Sequence, residues 1–360
     1  MGNFSVDSIR WGIFGTGFVA TKFALGLKAI PSAEIFAVAS RSKQRAESFV
    51  KGIDSSAFAG SYTEVVALDN LDVVYIASPP SIHKEHALMC IAAGKSVLIE
   101  KPLATSAEDA KEIAAAAASK GVFCMEAMWT RFTPLIKELK RLCDEGSLGD
   151  IRIMSGSFCL AEEPDSSNHL FSAEMGGGAL LDRAVYPLSL AVHLNGVPDH
   201  VGGYVVKGDS GIDEHVAVTL AWDNKCVAQF QASLIAQAEN NFMISGTKKS
   251  ISVNAPIYRP YRMKLSSVTT QKRQVASIPS KKDHIKENHW VHAVHQKLAP
   301  ILRALIGKGS KSVYLPYSGN AYHYQAEEVM KCMKKGLLES PVMPLKESIA
   351  VLEIVDSLRT

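Results

Sequence analysis

The chain has 360 residues, 47% of them apolar and 21% charged, with a formal net charge of +3. That is the balance of a soluble globular protein, long enough for two cores. It excludes the strongly basic surface of a nucleic-acid binder, and no apolar run approaches the ~20 residues of a membrane span. The N-terminal residues, Met1-Gly2-Asn3-Phe4-Ser5-Val6, lack the basic-then-apolar pattern of a secretion signal. The six cysteines, Cys90, Cys124, Cys143, Cys159, Cys226 and Cys332, form no C-x-x-C pair. They read as free thiols in a reducing compartment, so the expectation is a cytoplasmic protein.

In chain order, Ile9 to Phe14 is a short apolar strand. It runs into Gly15-Thr16-Gly17-Phe18-Val19-Ala20, a G-x-G-x-x-A loop, and then a helical pattern. Gly15 permits the tight turn, Gly17 lets the backbone approach a pyrophosphate, and Ala20 lets helix and strand pack closely. The motif sits after a strand and before a helix, the context a dinucleotide site requires. Glu34 to Ala39 is the second strand. It ends in Ser40-Arg41-Ser42, with Arg45 one turn later, and no acid takes the place that usually holds a ribose 2′-hydroxyl. An arginine with hydroxyls suits a 2′-phosphate, so the expected cofactor is NADP rather than NAD. The plainer alternative is a serine N-cap beside a solvated arginine.

Leu71 to Ala77 reads as a buried strand ending in Ser78-Pro79-Pro80, and Ile82 to Ala93 as a helix carrying His83 and His86. Val97 to Ile99 is another buried strand, and it runs into Glu100-Lys101-Pro102. Proline cannot continue a ladder, so Lys101 is held at the carboxyl end of a strand, the edge where open α/β sheets bind ligands. Thr105 is the expected cap of an alanine-rich helix, and Val122 to Met125 is a further strand. Strands alternating with crossover helices predict a doubly wound parallel sheet.

After Met125 the pattern changes. Glu126-Ala127-Met128-Trp129-Thr130-Arg131-Phe132 reads as an aromatic loop, and Thr133-Pro134 opens an amphipathic helix. From Ile151 the strands alternate. Cys226, Ala228, Phe230, Ala232 and Leu234 fall on one face, which predicts an antiparallel sheet with one open face. Gly176-Gly177-Gly178 reads as a flexible lead-in to a helix on which Asp182 and Tyr186 share a face. The expected fold class is therefore α/β: an N-terminal Rossmann domain, 1–128, and a C-terminal α+β domain, 129–360, with a large open, mostly antiparallel sheet.

Three features together, the G-x-G-x-x-A loop, Glu100-Lys101-Pro102 and Asp182-x-x-x-Tyr186 behind a glycine run, resemble the glucose-fructose oxidoreductase/inositol dehydrogenase/MocA superfamily. Within it, the Met125 to Phe132 stretch and Glu339-Ser340-Pro341-Val342-Met343-Pro344-Leu345 resemble the dimeric dihydrodiol dehydrogenases and related sugar reductases. The resemblance implies that Lys101 and Tyr186 act together on a hydroxyl or carbonyl, with Asp182 in support and Trp129 on the substrate wall. It implies a cofactor held by Gly15, Thr16, Gly17, Phe18 and Val19, by Ser40, Arg41 and Arg45, by Ser78, Pro79 and His83, and by Glu100, Lys101, Trp129 and Arg131. Substrate would meet Lys101, Trp129, Asp182 and Tyr186. The implied substrate is a polyol, sugar or trans-dihydrodiol, and the implied assembly a homodimer through the C-terminal sheet, with no nucleic-acid or membrane partner.

A free tyrosine, with a pKa near ~10, is a poor base at pH 7, and a nearby ammonium is expected to lower it. Taken singly, Tyr186 reads equally as a core tyrosine, and Asp182 as a partner of Arg183 or of Lys101. Two residues depart from the family pattern: Ala184 replaces a glycine, and Arg183 stands where an apolar residue is usual. Lys281 to Asn320 is longer than the animal dihydrodiol enzymes lead one to expect. It contains Trp290, His292, His295 and an apolar pattern through Ile301, Leu302 and Leu305, with no further ligand to make the two histidines a metal site. The rival readings on the same fold are an NAD-dependent redox-cycling glycosidase and a dinucleotide-binding regulator without catalysis.

Overall fold

The computed structural model describes residues 8–53, 55–165, 168–269, 288–291, 294, 298 and 310–359. Its first half alternates strand and helix: β1 (Ile9–Phe14), α1 (Phe18–Leu27), β2 (Ala33–Ala39), α2 (Lys43–Gly52), β3 (Phe58–Gly60), α3 (Tyr62–Val66), β4 (Val73–Ile76), α4 (His83–Ala92), β5 (Ser96–Glu100), α5 (Ala107–Lys120) and β6 (Cys124–Ala127). The strands form one parallel sheet in the order β3-β2-β1-β4-β5-β6. Every residue of β4 and β5 is buried, because helices cover both faces and the near-continuous apolar runs have no solvent side to serve. The order reverses between β1 and β4, which opens a crevice at the carboxyl ends of those strands. β3 has three residues, too few for periodicity to reveal. The cap of α5 is Ser106, whose hydroxyl accepts from Asp109 N, and not Thr105.

The second half builds an eight-stranded sheet. Its strands are β7 (Ile151–Cys159), β8 (His200–Lys207), β9 (Asp213–Trp222), β10 (Cys226–Ser233), β11 (Phe242–Gly246), β12 (Lys249–Val253), β13 (Arg262–Ser267) and β14 (Ser310–Tyr314), in the order β14-β13-β12-β11-β7-β10-β9-β8. All neighbours are antiparallel except β7 with β10. Cys226, Ala228, Phe230 and Ala232 point inward and Val227, Gln229 and Gln231 outward, as the alternation predicts. The inner face packs on α7 (Val185–Asn195), and α6 (Pro134–Asp144) packs on α7 in turn. The outer face leaves Ile153, Tyr204, Val206 and Val227 exposed. All six cysteines are free thiols. No described helix is long and apolar enough to cross a membrane.

Most of Lys281 to Asn320, including His292, His295, Ile301, Leu302 and Leu305, lies outside the described residues. Among the described residues no group of histidine, cysteine, aspartate and glutamate side chains could hold a metal ion.

Two C-terminal helices, α8 (His323–Lys334) and α9 (Leu345–Arg359), complete the chain. α9 packs on α5 of the first sheet and on α7 and β8 of the second. Its Asp356 accepts from Ala107 N at 2.8 Å, and Arg359 donates to Thr105 O at 3.0 Å. Arg131 is the deepest point of this staple. Its guanidinium has no exposed surface, donates to Ser189 Oγ and O at 2.8 and 2.7 Å, and pairs with Glu347 at the start of α9. Glu347→Ala leaves that cation buried without a counter-charge. The expected cost is about 3 kcal/mol of unfolding free energy, measured by urea denaturation. A loss below ~1 kcal/mol would show that water replaces the carboxylate.

Candidate active site

The β1–α1 loop is shaped by two glycines with different tasks. Gly15 sits at φ +108°, and a Cβ there would lie 2.5 Å from Ala77 O, so only glycine fits. Gly17 is the N-cap of α1, and a Cβ on it would meet nothing within 4 Å. The room beside Gly17 faces the first backbone N–H groups of α1, which have no acceptor inside the helix. Thr16 is half-buried, and Phe18 is 74% exposed at the rim. After β2, Ser40 is buried while Arg41 and Arg45 are exposed, and the Ser42 hydroxyl accepts from Arg45 N as the cap of α2. Beneath them Phe14, Tyr62 and His86 form a ring cluster with centroids 4.2–5.4 Å apart. Ser78 and Pro79 border the crevice from β4, and Ser78 Oγ meets His86 Nδ1 at 3.1 Å. Open backbone, a helix terminus and an unencumbered arginine fit a dinucleotide.

Lys101 leaves β5 on a framework of buried acids. Glu100 accepts from the Tyr75 hydroxyl and, at 3.2 Å, from Lys101 N. Glu126 of β6 accepts from Leu103 N at 3.0 Å. Burial pushes the Glu100 carboxyl up to about 7, against the pull of Tyr75 and Lys101, and burial raises Glu126 as well. The His83 ring spans the two strand ends, 2.8 Å from Ser78 O and 2.9 Å from Pro102 O. Burial lowers it to about 4, which leaves the imidazole neutral at pH 7.

Asp182 and Tyr186 arrive from the other sheet. Leu180–Ala184 is a π-helical turn that passes directly into α7, a widening often found at functional sites. Asp213 of β9 anchors the turn by accepting from Leu180 N at 2.5 Å. The glycine run before it is packed rather than flexible. A Cβ on Gly177 would strike His169 O at 2.4 Å, and one on Gly178 the Asp213 carboxylate at 2.3 Å.

This geometry brings Lys101 Nζ to 2.6 Å from Asp182 Oδ1 and 3.0 Å from Asp182 O. The same ammonium lies 5.3 Å from the Tyr186 ring centre. Trp129 Nε1 donates to the Tyr186 hydroxyl at 3.3 Å. Trp129 stacks on Tyr322 at 4.7 Å, Phe158 stacks on Tyr258 at 5.2 Å, and the Phe158 edge meets Tyr186 at 5.1 Å. The result is a phenol and an ammonium inside an aromatic enclosure, beside the carboxyl edge of a parallel sheet.

Two family models match the chain: the oxidoreductase family with an NAD-binding Rossmann fold over residues 9–128, and the GFO/IDH/MocA C-terminal domain over 136–252. The chain belongs to the GFO/IDH/MocA oxidoreductase family. It is 31% identical over 358 residues to the trans-1,2-dihydrobenzene-1,2-diol dehydrogenase of Sus scrofa, covering 98% of this chain and 96% of that one. The Homo sapiens protein of the same name is 29% identical over the same shares. A 3-ketoreductase from Actinomadura kijaniata, solved with NADP and TDP-benzene, matches with a TM-score of 0.77 and 23% identity over 98% of this chain and 97% of its own. A levoglucosan dehydrogenase solved with NADH and levoglucosan matches with a TM-score of 0.81 and 20% identity over 98% and 96%.

Within this GFO/IDH/MocA chain, Lys101, Asp182, Tyr186 and Trp129 converge, while Gly15 and Gly17 follow β1 and Arg41 follows β2 at the carboxyl edge of the first sheet. Two of the expected cofactor contacts lie deep in the fold: Arg131 is sealed under α9, and the ring nitrogens of the fully buried His83 lie next to backbone carbonyls. The expected effect of Lys101 on Tyr186 is corrected. The ammonium is spent on Asp182, and burial holds the phenol well above its ordinary value. Phe158, Tyr258 and Tyr322 were not legible in the sequence. They are single aromatics outside any motif, and a pattern of enclosure exists only after folding.

Glu100 generates a pH prediction. Its folded pKa is raised, so the stability it contributes is fully present below the unfolded value and is lost as pH rises through about 7. Wild type should lose thermal stability between pH 5 and 8 more steeply than Glu100→Gln, by on the order of 3 kcal/mol. Parallel melting curves for the two proteins across that range would remove Glu100 as the cause.

Proposed function

We propose that the chain is an NADP(H)-dependent oxidoreductase that moves hydride between the nicotinamide and a carbinol or carbonyl of a sugar, sugar derivative or trans-dihydrodiol. The observation that carries this reading is the convergence of Lys101, Asp182 and Tyr186 inside an aromatic enclosure. Residues 1–128 would hold the nucleotide and residues 129–360 the substrate. The names of the relatives support the substrate range: dihydrodiol dehydrogenase, 3-ketoreductase and levoglucosan dehydrogenase.

When bound, the nicotinamide supplies or accepts the hydride. Tyr186 keeps its proton at pH 7 because burial disfavours the phenolate. It is therefore the acid that protonates the oxygen as negative charge builds on it, which suits reduction. Lys101 places an ammonium beside the same oxygen and stabilises that charge. Asp182 aims the ammonium. Burial would raise the Asp182 carboxyl, but Lys101 and Arg183 outweigh burial and hold it below its ordinary value, as an anion. Trp129 fixes the phenol through its indole N–H, and the aromatic walls suit the apolar face of a sugar or diol ring.

Tyr186→Phe should bind cofactor normally and lose turnover by about 10²–10⁴-fold. A variant that turns over at the wild-type rate would make Tyr186 a structural tyrosine. For the cofactor, the reading rests on Arg41, exposed after β2 with Ser40 and Ser42 beside it, as the partner of a 2′-phosphate. One charge-assisted contact of roughly 1.5–3 kcal/mol gives about 10- to 150-fold preference for NADP over NAD. Arg41→Ala should erase most of it by weakening NADP alone, and titrations of both cofactors decide. Equal weakening of both would leave Arg41 as an adenine-stacking or solvated group. The outer sheet face, with Ile153, Tyr204, Val206 and Val227 exposed, supports a homodimer. Light scattering at micromolar concentration should return twice 38.9 kDa, and the single-chain mass would refute it.

A further inference from the structure

Asp182 has two carboxylate oxygens, and only Oδ1 faces Lys101. The other, Oδ2, lies 2.7 Å from Arg183 Nε. Arg183 is itself gripped on two more sides. Its Nη2 donates to Glu162 Oε1 at 2.9 Å, and its guanidinium lies 4.9 Å over the Phe158 ring. The side chain is 5% exposed, whereas Glu162 is 39% exposed. A guanidinium hydrogen-bonded to Glu162, in charge contact with Asp182 but without hydrogen-bond alignment there, and seated over a ring face is a charge at a fixed place. An apolar residue at this position would leave Oδ2 without that cation.

We infer that Arg183 is a positioning residue, whose cation beside Asp182 Oδ2 leaves Oδ1 to Lys101 and favours the anionic carboxylate for the reaction proposed above, on which this inference rests. The groups facing Asp182 are Lys101 from the end of β5, His169 from the turn His169–Phe171, Arg183 from its own turn and Tyr186 from α7. Glu162 stands beyond Arg183 and competes with Asp182 for it. Removing Arg183 must therefore raise the midpoint at which Asp182 takes up a proton, and removing the Glu162 charge must lower it. Glu100, the other acid near Lys101, answers to Tyr75, Lys101 and Glu126, so its titration stays put in both variants.

The test uses the full chain labelled with carboxyl-¹³C aspartate. The Asp182 signal is assigned by its loss in Asp182→Asn and followed against pH. In Arg183→Met the midpoint should rise by about 1–3 pH units. In Arg183→Lys it should return most of the way, and in Glu162→Gln it should fall by less than a unit. Turnover of Arg183→Met should drop in kcat with KM little changed. An unmoved midpoint in Arg183→Met, or a normal kcat with a moved one, overturns the inference. Should Arg183→Met fail to fold, the surface variant Glu162→Gln decides, and an unmoved or raised midpoint there overturns it. Wild-type turnover in Tyr186→Phe would instead sink the underlying functional reading, which the titration does not touch.

Discussion

The Lys101–Asp182 ion pair is the contact on which the site depends. It joins the carboxyl end of β5 to the π-helical turn of the second half, 81 residues later. Both side chains are largely withdrawn from water, 15% and 20% exposed, so neither is solvated well enough to stand alone. A half-buried pair of this kind adds little net stability compared with an apolar pair, but breaking it is costly. Its value is geometric. It fixes an ammonium over the ring face of Tyr186, where neither sheet alone could place it.

That placement needs the two halves of the chain to be held in register, and α9 contributes to that register. α9 caps α5 through Asp356, reaches Thr105 through Arg359 and pairs with Arg131 through Glu347. Thr105 lies four residues after Lys101, and Arg131 two residues after Trp129. The staple thus grips the two segments that deliver the site's ammonium and its indole. His83 lies inside, between the ends of β4 and β5, where the single N–H of its neutral ring can bond one of the two flanking carbonyls.

The parts of this arrangement that can be read from sequence are those whose meaning is local. A strand followed by Gly15-x-Gly17-x-x-Ala20 specifies a turn and a helix terminus whatever the rest of the chain does. Glu100-Lys101-Pro102 specifies a strand end, and Asp182 and Tyr186 specify one helical face. Arg131 shows where locality fails. Its decisive partner, Glu347, is 216 residues away, so nothing near Arg131 distinguishes a phosphate-seeking arginine from a buried keystone. The glycine run misleads for the same reason. Gly177 and Gly178 are small because His169 O and the Asp213 carboxylate leave no room, and a sequence shows the glycine without the neighbour. Phe158, Tyr258 and Tyr322 come from a strand, a loop and a helix start, and acquire a common meaning only as walls of one enclosure.

The electrostatics of the site follow from this frame. Behind Lys101 lie Glu100 and Glu126, two acids whose ionisation burial disfavours. In front lies Asp182, an acid kept charged by two cations. Carboxyl groups around the same lysine are thereby driven in opposite directions. The buried pair shapes the backbone around Lys101 and need not carry charge to do so, since a protonated carboxyl still accepts a hydrogen bond. Asp182, by contrast, pairs with Lys101 as an anion. Tyr186 completes the set as a group whose proton is hard to remove, placed against an ammonium already neutralised by its neighbour. The resting site therefore holds a protonated phenol beside a positive charge whose partner is fixed.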